Sequence, residues 1–520
     1  MAKINLDKSQ VETVKTIAKS IADDIQKFVD EHSTESVERT VLRLYGVDGV
    51  DEDKTPLPNK IIEKLLAEVG LNEGVSKYFA KAMVLSKRDG QTTAELLDQN
   101  HISFKDTLSV LDVDSLKIEK DLSKKAIHAL DNTYNKKLKK QIECPVPPTP
   151  WKYLIVATGN IYEDRVQAES AVDSGADIIA VIRSTAQSLL DYIPYGATTE
   201  GFGGTYATQE NFKIMRKALD KSMKKRGRYV RLVNYSSGLC MSEIAACAAM
   251  EDLDMLLNDS MYGILFRDIN MKRTFVDQYM SRLICSRANI IINTGEDNYL
   301  TTSDAIESAH TVTASQLINE AMGINARLKP ELLGLGHAYE INPTVENAFL
   351  YELAHAQLAR ELFPRSPLKY MPPTKYKKTD IFFSHAMDTM FNLASITTNQ
   401  GIHLAGILTE AIHTPLMQDR YQALDSINYV FNIAKNLGDE IEFKAGGFIE
   451  NRAKTVLNET EQFLIKVEKM GLMTSISNGL FAGIKRPIDG GKGGPGVIKK
   501  APTYSNPIMD ELKKGGKHDQ

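Results

Sequence analysis

The chain has 520 residues, of which 42% are hydrophobic and 25% charged, with a formal net charge of −4. That length leaves room for two or three domains, one of them large enough to be a barrel. The mildly acidic balance argues against a nucleic-acid binder, and no apolar run approaches the roughly 20 residues of a membrane span. The four cysteines, Cys144, Cys240, Cys247 and Cys285, show no zinc-type spacing,. They fit free thiols in a reducing compartment, and the N-terminal MAKINLDKSQ lacks the apolar stretch of a signal peptide, so a cytoplasmic location is expected,.

Residues 1–143 read as a helical region. Val11, Val14, Ile17, Ile21, Ile25 and Val29 recur every three or four residues and share one helix face,. Val37 to Tyr45 runs into Gly46, and Ile61 to Val69 into Gly70, as helices ended by glycine do,. A lysine-rich helix follows to about Lys140. Residues 144–150 carry Pro145, Pro147, Pro148 and Pro150, which no helix or central strand accommodates, so a linker is expected there,.

From 151 to 408 the pattern changes to short, continuous apolar runs separated by helical periodicity. The runs are Tyr153 to Ala157, Ile178 to Ile182, Tyr229 to Val233, Met255 to Leu257 and Ile290 to Ile292. Weaker ones are Leu332 to His337, Pro367 to Met371 and Gly401 to Ile407. Strands buried on both faces look like this, and eight of them alternating with helices predict an α/β chain built on a (β/α)8 TIM-type barrel. A long interval containing Pro194 to Gly204 predicts an extended loop between the second and third strands. Amphipathic helices are expected over 409–484, and the Gly- and Lys-rich tail, 485–520, is expected to order only against a partner.

In such a barrel the chemistry gathers where strands end. The second run leads into Arg183, Ser184, Thr185, Gln187 and Ser188, the third into Tyr235, Ser236 and Ser237, and the fourth into Tyr262 and Arg267. The fifth leads into Glu296, Asp297 and Asn298, the sixth carries His337, and the seventh Lys369 and Tyr370. Hydroxyls and planar guanidinium forks suit a phosphate or carboxylate, tyrosines a flat ring, and acids an ammonium group. Taken singly, each has a plainer reading. A strand-end Arg or Asp is more often an ion pair or loop cap, Tyr262 half-buried packing, and His337 a satisfied structural histidine. Repetition at strand after strand is what favours a site. No GxxxxGK[ST], HExxH or GxSxG occurs, and the segment GFGGTY at 201–206 lies outside a strand-turn-helix context,.

The same segments carry a resemblance. ATGNIYED (157–164), ADIIAVIRSTAQSLLDYIPYGATTEGFGGTYATQENF (176–212), NYSSGLC, YGILFRDINM, IINTGEDNYLTT, GLGHA, PLKYMPPTK and KRPIDGGKG are similar, in order, to the large subunit of the lysine 5,6-aminomutase family. The resemblance implies an isomerase that moves the terminal amino group of D-lysine or β-lysine to the neighbouring carbon by a radical 1,2-shift. It implies pyridoxal 5'-phosphate and the substrate on this chain, with adenosylcobalamin on a smaller beta subunit that also supplies the Schiff-base lysine, in an α2β2 assembly. It marks Arg183, Ser188 and Ser237 as contacts of pyridoxal phosphate, with Ser184, Thr185 and Gln187 in the loop after the second strand and Asn298 after the fifth as further cofactor-binding residues. Tyr262 would stack on the pyridine ring, and Arg267, Asp297 and Lys369 would hold the cofactor or the charged ends of the substrate. The segment Asp30 to Glu35 departs from the DxHxxG pattern of a cobalamin-binding histidine, which places that ligand on the partner. The alternatives are an ornithine 4,5-aminomutase and a non-catalytic barrel that carries a cobalamin subunit.

Overall fold

A computed structural model describes residues 3–181, 185–494 and 496–515. Its centre is a parallel barrel of β1 (Trp151–Ile155), β2 (Ile178–Ala180), β3 (Arg231–Tyr235), β4 (Met255–Leu257) and β5 (Ile291–Asn293), continued by β6, β7 (Lys369–Met371) and β8 (Ile402–Leu404). The sixth strand, β6, is in two pieces, Leu333–Gly334 and Gly336–Ala338, on either side of Leu335. The first piece pairs with β5 and the second with β7, while β8 pairs with β1, so the sheet closes on itself. All eight expected strands are present, the weak eighth included.

The break in β6 has a local cause. A Cβ on Gly334 would lie 2.4 Å from Asn293 Oδ1, and one on Gly336 would lie 2.6 Å from Asp297 Oδ1. Only glycine lets this strand pass so close to the β5 end. Strand residues are almost uniformly buried because helices cover the outer face, from Ile161–Asp173 after β1 to Met417–Ile433 after β8,. At the N-terminal end of the barrel the Arg231 guanidinium lies 3.6 Å from the Trp151 ring centroid, which plugs that end,.

The segments outside the barrel wrap it. Helix Lys8–Glu31 buries Val14, Ala18, Ile21, Ala22, Ile25 and Val29 and packs on Ala309–Asn325 and Phe448–Met470. Its Asp7 cap accepts from Ser9 N,. Helix Glu35–Leu44 packs on Met241–Met250. The tail differs from expectation, because it orders against its own chain. Val497–Lys499 pairs antiparallel with His32–Thr34, and helix Pro507–Lys513 buries Ile508, Met509 and Leu512 against Asp112–Glu143 and Met271–Arg287. Strand hydrogen bonds and three buried apolar side chains offset the glycines around them. Among the described residues no helix is long and apolar enough to cross a membrane.

Candidate active site

Helix Ser260–Arg267 begins directly after β4 because Asp259 caps it, accepting from Met261 N at 3.0 Å,. Five residues apart, Tyr262 and Arg267 meet on it. Arg267 Nη2 donates to Tyr262 Oη at 2.8 Å, with the guanidinium 5.3 Å from the ring centroid. The tyrosine rests on the β5 turn, where a Cβ on Gly295 would fall 2.8 to 3.0 Å from its side-chain atoms. Arg267 Nε is buried and has no hydrogen-bond partner among the described residues. Such an atom is costly unless a ligand meets it.

The turn Glu296–Asn298 brings Asp297 to the mouth of the barrel, 3.2 Å from the Lys369 ammonium on β7, with the two side chains 2% and 4% exposed. Burial alone would lower the Lys369 ammonium, yet Asp297 holds it above its ordinary range. Burial pushes the Asp297 carboxyl up, against the pull of Lys369. These directions oppose each other at one contact. Opposite charges this close and this dry favour the ion pair. Asn298 Nδ2 donates to Gly295 O at 3.1 Å and to Asp297 Oδ2 at 3.2 Å, so it shapes the turn.

The β2 and β3 ends pack against this group. Leu239 N donates to Ser188 O at 3.2 Å, and a Cβ on Gly238 would lie 2.8 Å from Ser188 Cα. A Cβ on Gly263 would lie 4.0 Å from Gly238 N. Ser188, Ser237, Tyr262, Asp297 and Lys369 therefore belong to one continuous surface across the strand ends, and all five are buried. Gln187 sits differently. Its amide donates to Ala207 O at 2.8 Å and accepts from Ala207 N at 2.7 Å, clasping the long loop after β2. Arg183 and Ser184 lie outside the described residues, as does the Thr185 side chain.

His337 is a structural histidine. It hydrogen-bonds Gln400 at 3.0 Å and stacks on Tyr370 at 4.2 Å, on the outer side of the sheet. Burial lowers its pKa to about 4. A groove of about 1020 Å³, lined by Phe382, Leu408 and Tyr429, lies between outer helices and includes none of the strand-end residues. Convergence of polar groups outweighs groove size in locating the site.

The family model for the D-lysine 5,6-aminomutase TIM-barrel domain of the alpha subunit matches residues 4–511. The chain belongs to this family. It is 52% identical to the lysine 5,6-aminomutase alpha subunit of Fusobacterium nucleatum and 50% identical to that of Acetoanaerobium sticklandii, over 98% of both chains in each case. It is 25% identical to the D-ornithine 4,5-aminomutase subunit beta of Acetoanaerobium sticklandii, over 69% of this chain and 50% of that one. An aminomutase is an isomerase, and an alpha subunit implies a partner subunit.

Sequence reasoning did not separate out the polar layer beneath this strand-end surface. Asp259, Glu296, Asn319 and Arg282 meet there from two strand ends and two outer helices. Glu296, an acid that suits an ammonium group by its position after β5, instead accepts from Asn319 at 2.7 Å and from Gly336 N at 3.2 Å. Only tertiary contact groups these residues, although Asn258-Asp259 and Glu296 each follow a strand.

Proposed function

We propose that the strand-end surface binds pyridoxal 5'-phosphate and a lysine isomer, and that the chain shifts the terminal amino group of D-lysine or L-β-lysine to the adjacent carbon in lysine degradation. The observation that carries this reading is that the Tyr262–Arg267 pair packs on Gly295 and the buried Asp297–Lys369 pair is held by the same turn, two residues on, at the strand ends of a closed barrel. The donor set suits a flat, phosphorylated ring. Tyr262 offers an aromatic face backed by Gly295, the buried Arg267 Nε awaits an acceptor, and Ser188 and Ser237 place hydroxyl groups at the β2 and β3 ends. Arg183, Ser184 and Thr185 add phosphate donors on the same loop. Gln187 clasps the loop that carries Ser188, and Asn298 shapes the turn that carries Asp297.

When bound, pyridoxal phosphate supplies a π-system that spreads unpaired spin, and adenosylcobalamin on the smaller partner subunit supplies the radical. The chain's own share is positioning and exclusion. Tyr262 fixes the ring plane. Arg267 anchors an anionic group beside it. Asp297 and Lys369 meet the ammonium and carboxylate of the substrate, so that the reacting carbon stays in one place. Burial of these groups keeps water away from reactive species. The partner, which also provides the Schiff-base lysine, joins this chain in a cytoplasmic α2β2 assembly.

The test is anaerobic turnover of the chain with its cobalamin-binding partner and both cofactors, offering D-lysine, β-lysine and ornithine separately. The expected result is a lysine isomer converted to the product with its terminal nitrogen one carbon along, and no product from the chain alone. Conversion of ornithine only would reassign the substrate, since one methylene is worth about 1–3 kcal/mol of discrimination. Binding of both cofactors without turnover would make the chain a scaffold.

A further inference from the structure

Asp259 and Glu296 are completely buried, and both reach the same amide nitrogen, Asn319 Nδ2, at 3.5 and 2.7 Å. The one guanidinium of this layer, Arg282, donates to Asn319 Oδ1 at 2.8 Å and to Asn258 O at 3.0 Å. It therefore reaches the acids through the asparagine. Two carboxyl groups with one cation at one remove, away from water, cannot both hold a charge cheaply. Each acid also holds a part of the site. Asp259 accepts from Met261 N, which starts the helix of Tyr262, and from Gly295 N at 2.9 Å, which backs the tyrosine ring. Glu296 accepts from Gly336 N and immediately precedes Asp297.

We propose that Asp259 and Glu296 form a one-proton acid pair, bridged by Asn319 to Arg282, that positions Tyr262 and Asp297 and thereby the cofactor site. Two backbone amides, Met261 N and Gly295 N, serve the Asp259 oxygens. Glu296 carries the proton, with the Thr294 hydroxyl beside it as a hydrogen-bond partner. Burial, and then the neighbouring Asp259 charge, raise Glu296 to about 8. The other charged or titratable groups around the pair are Arg282, Tyr299, Asp297 and Lys369. Neither acid touches substrate in this arrangement, so both are positioning residues. The step from positioning to cofactor binding rests on the reading that the strand ends hold pyridoxal phosphate.

Two readouts test it. The first uses the chain without cofactor. Difference infrared spectra at pH 7 should contain a protonated-carboxyl stretch that is absent in Glu296→Gln. The melting temperature of the wild type relative to that of E296Q should fall as pH rises from about 4.5 to 8, because the folded wild type holds on Glu296 a proton the unfolded state has lost. The second is pyridoxal phosphate affinity by absorbance titration. Glu296→Ala should weaken it at pH 7 and Glu296→Gln, the neutral isostere, should restore it. Between pH 8 and 9 the wild-type affinity should fall about fivefold, following loss of one proton from Glu296, while E296Q stays level,. An infrared band unchanged by E296Q, or parallel pH profiles for wild type and E296Q, would overturn the acid pair. Failure of wild-type chain to take pyridoxal phosphate at any pH would overturn the site reading instead, and the infrared and melting results would still decide the pair.

Discussion

Replacing Asp297 by Asn should be far more costly than its single-atom change suggests. The substitution keeps the size of the side chain but leaves the Lys369 ammonium, 4% exposed, without its counter-charge at 3.2 Å. Breaking a buried pair from one side costs about 3–5 kcal/mol, a large part of the roughly 5–15 kcal/mol that holds a folded protein. The Lys225–Asp173 pair is the control. It is shorter still, at 2.9 Å, but 68% and 44% exposed, so Asp173→Asn should cost about 0–1 kcal/mol. Urea denaturation of the chain without cofactor, followed by circular dichroism at pH 7, measures both. Adding Lys369→Met to Asp297→Asn removes the stranded charge and should recover most of the loss. The penalty of the single variant should also shrink at higher pH, because an unpaired buried ammonium has a lowered pKa and sheds its proton as pH rises through it. If D297N costs no more than D173N, or the double variant is as unstable as D297N, the buried-pair argument is wrong.

Other outcomes follow from the same geometry. Tyr262→Phe keeps the ring and loses the hydrogen bond from Arg267, about 0.5–1.5 kcal/mol, so pyridoxal phosphate affinity by absorbance titration should fall roughly two- to tenfold. Tyr262→Ala should fall further and change the cofactor spectrum. Leu512→Ala removes a buried leucine of the tail helix and should cost about 2–5 kcal/mol in denaturation, which a tail ordered only by a partner would not show. His337, His355 and His403 are held neutral by burial, with pKa values lowered to about 4, 3 and 3. Their stabilising effect is complete above the unfolded histidine range and is lost as pH falls from about 6.5 toward those values. The melting temperature should therefore drop across that window, less steeply in His403→Gln.

The eight strands were legible because a barrel strand is covered on both faces and so reads as a short, unbroken apolar run. Their C-terminal ends were legible for the complementary reason, since Ser188, Ser237, Tyr262 and Asp297 each follow such a run, while Lys369 lies within one. The break at Leu335 was not, because it depends on Asn293 and Asp297 pressing on Gly334 and Gly336 from the neighbouring strand end. The strand His32–Thr34 was expected only as a junction between helices; its partner, Val497–Lys499, lies at the other end of the chain. Gln187 shows how position can mislead. It sits in the loop after β2, where a cofactor contact was expected, yet both ends of its amide are taken by the Ala207 backbone. Glu296 shows the same, for its neighbour Asp297 faces the mouth of the barrel while Glu296 is bonded into the layer beneath.

The loop after β2 explains why so short-stranded a barrel carries so much chain outside it. From the end of the 3₁₀ turn Thr185–Leu189 to Gln209 the loop has no helix or strand, and ordering such a stretch costs about 1–2 kcal/mol per residue in backbone entropy alone. Asp191 is where that cost is met. Its carboxylate accepts from Arg39, on an N-terminal helix, and from Arg273, on a barrel helix, and its carbonyl accepts from Asn59 Nδ2 at 2.8 Å. Burial alone would raise the Asp191 carboxyl, yet Arg39 and Arg273 hold it below its ordinary range. Arg273 in turn donates to Gly493 O in the tail at 3.2 Å and to Leu239 O beside the Ser237–Gly238 end at 3.2 Å. Arg39 is anchored on the fully buried Glu243 at 2.8 Å. The N-terminal helices, the tail and the β3 end thus converge on a single carboxylate three residues beyond Ser188. The barrel supplies the strand ends, and the wrapping segments supply the rigidity that the loop lacks.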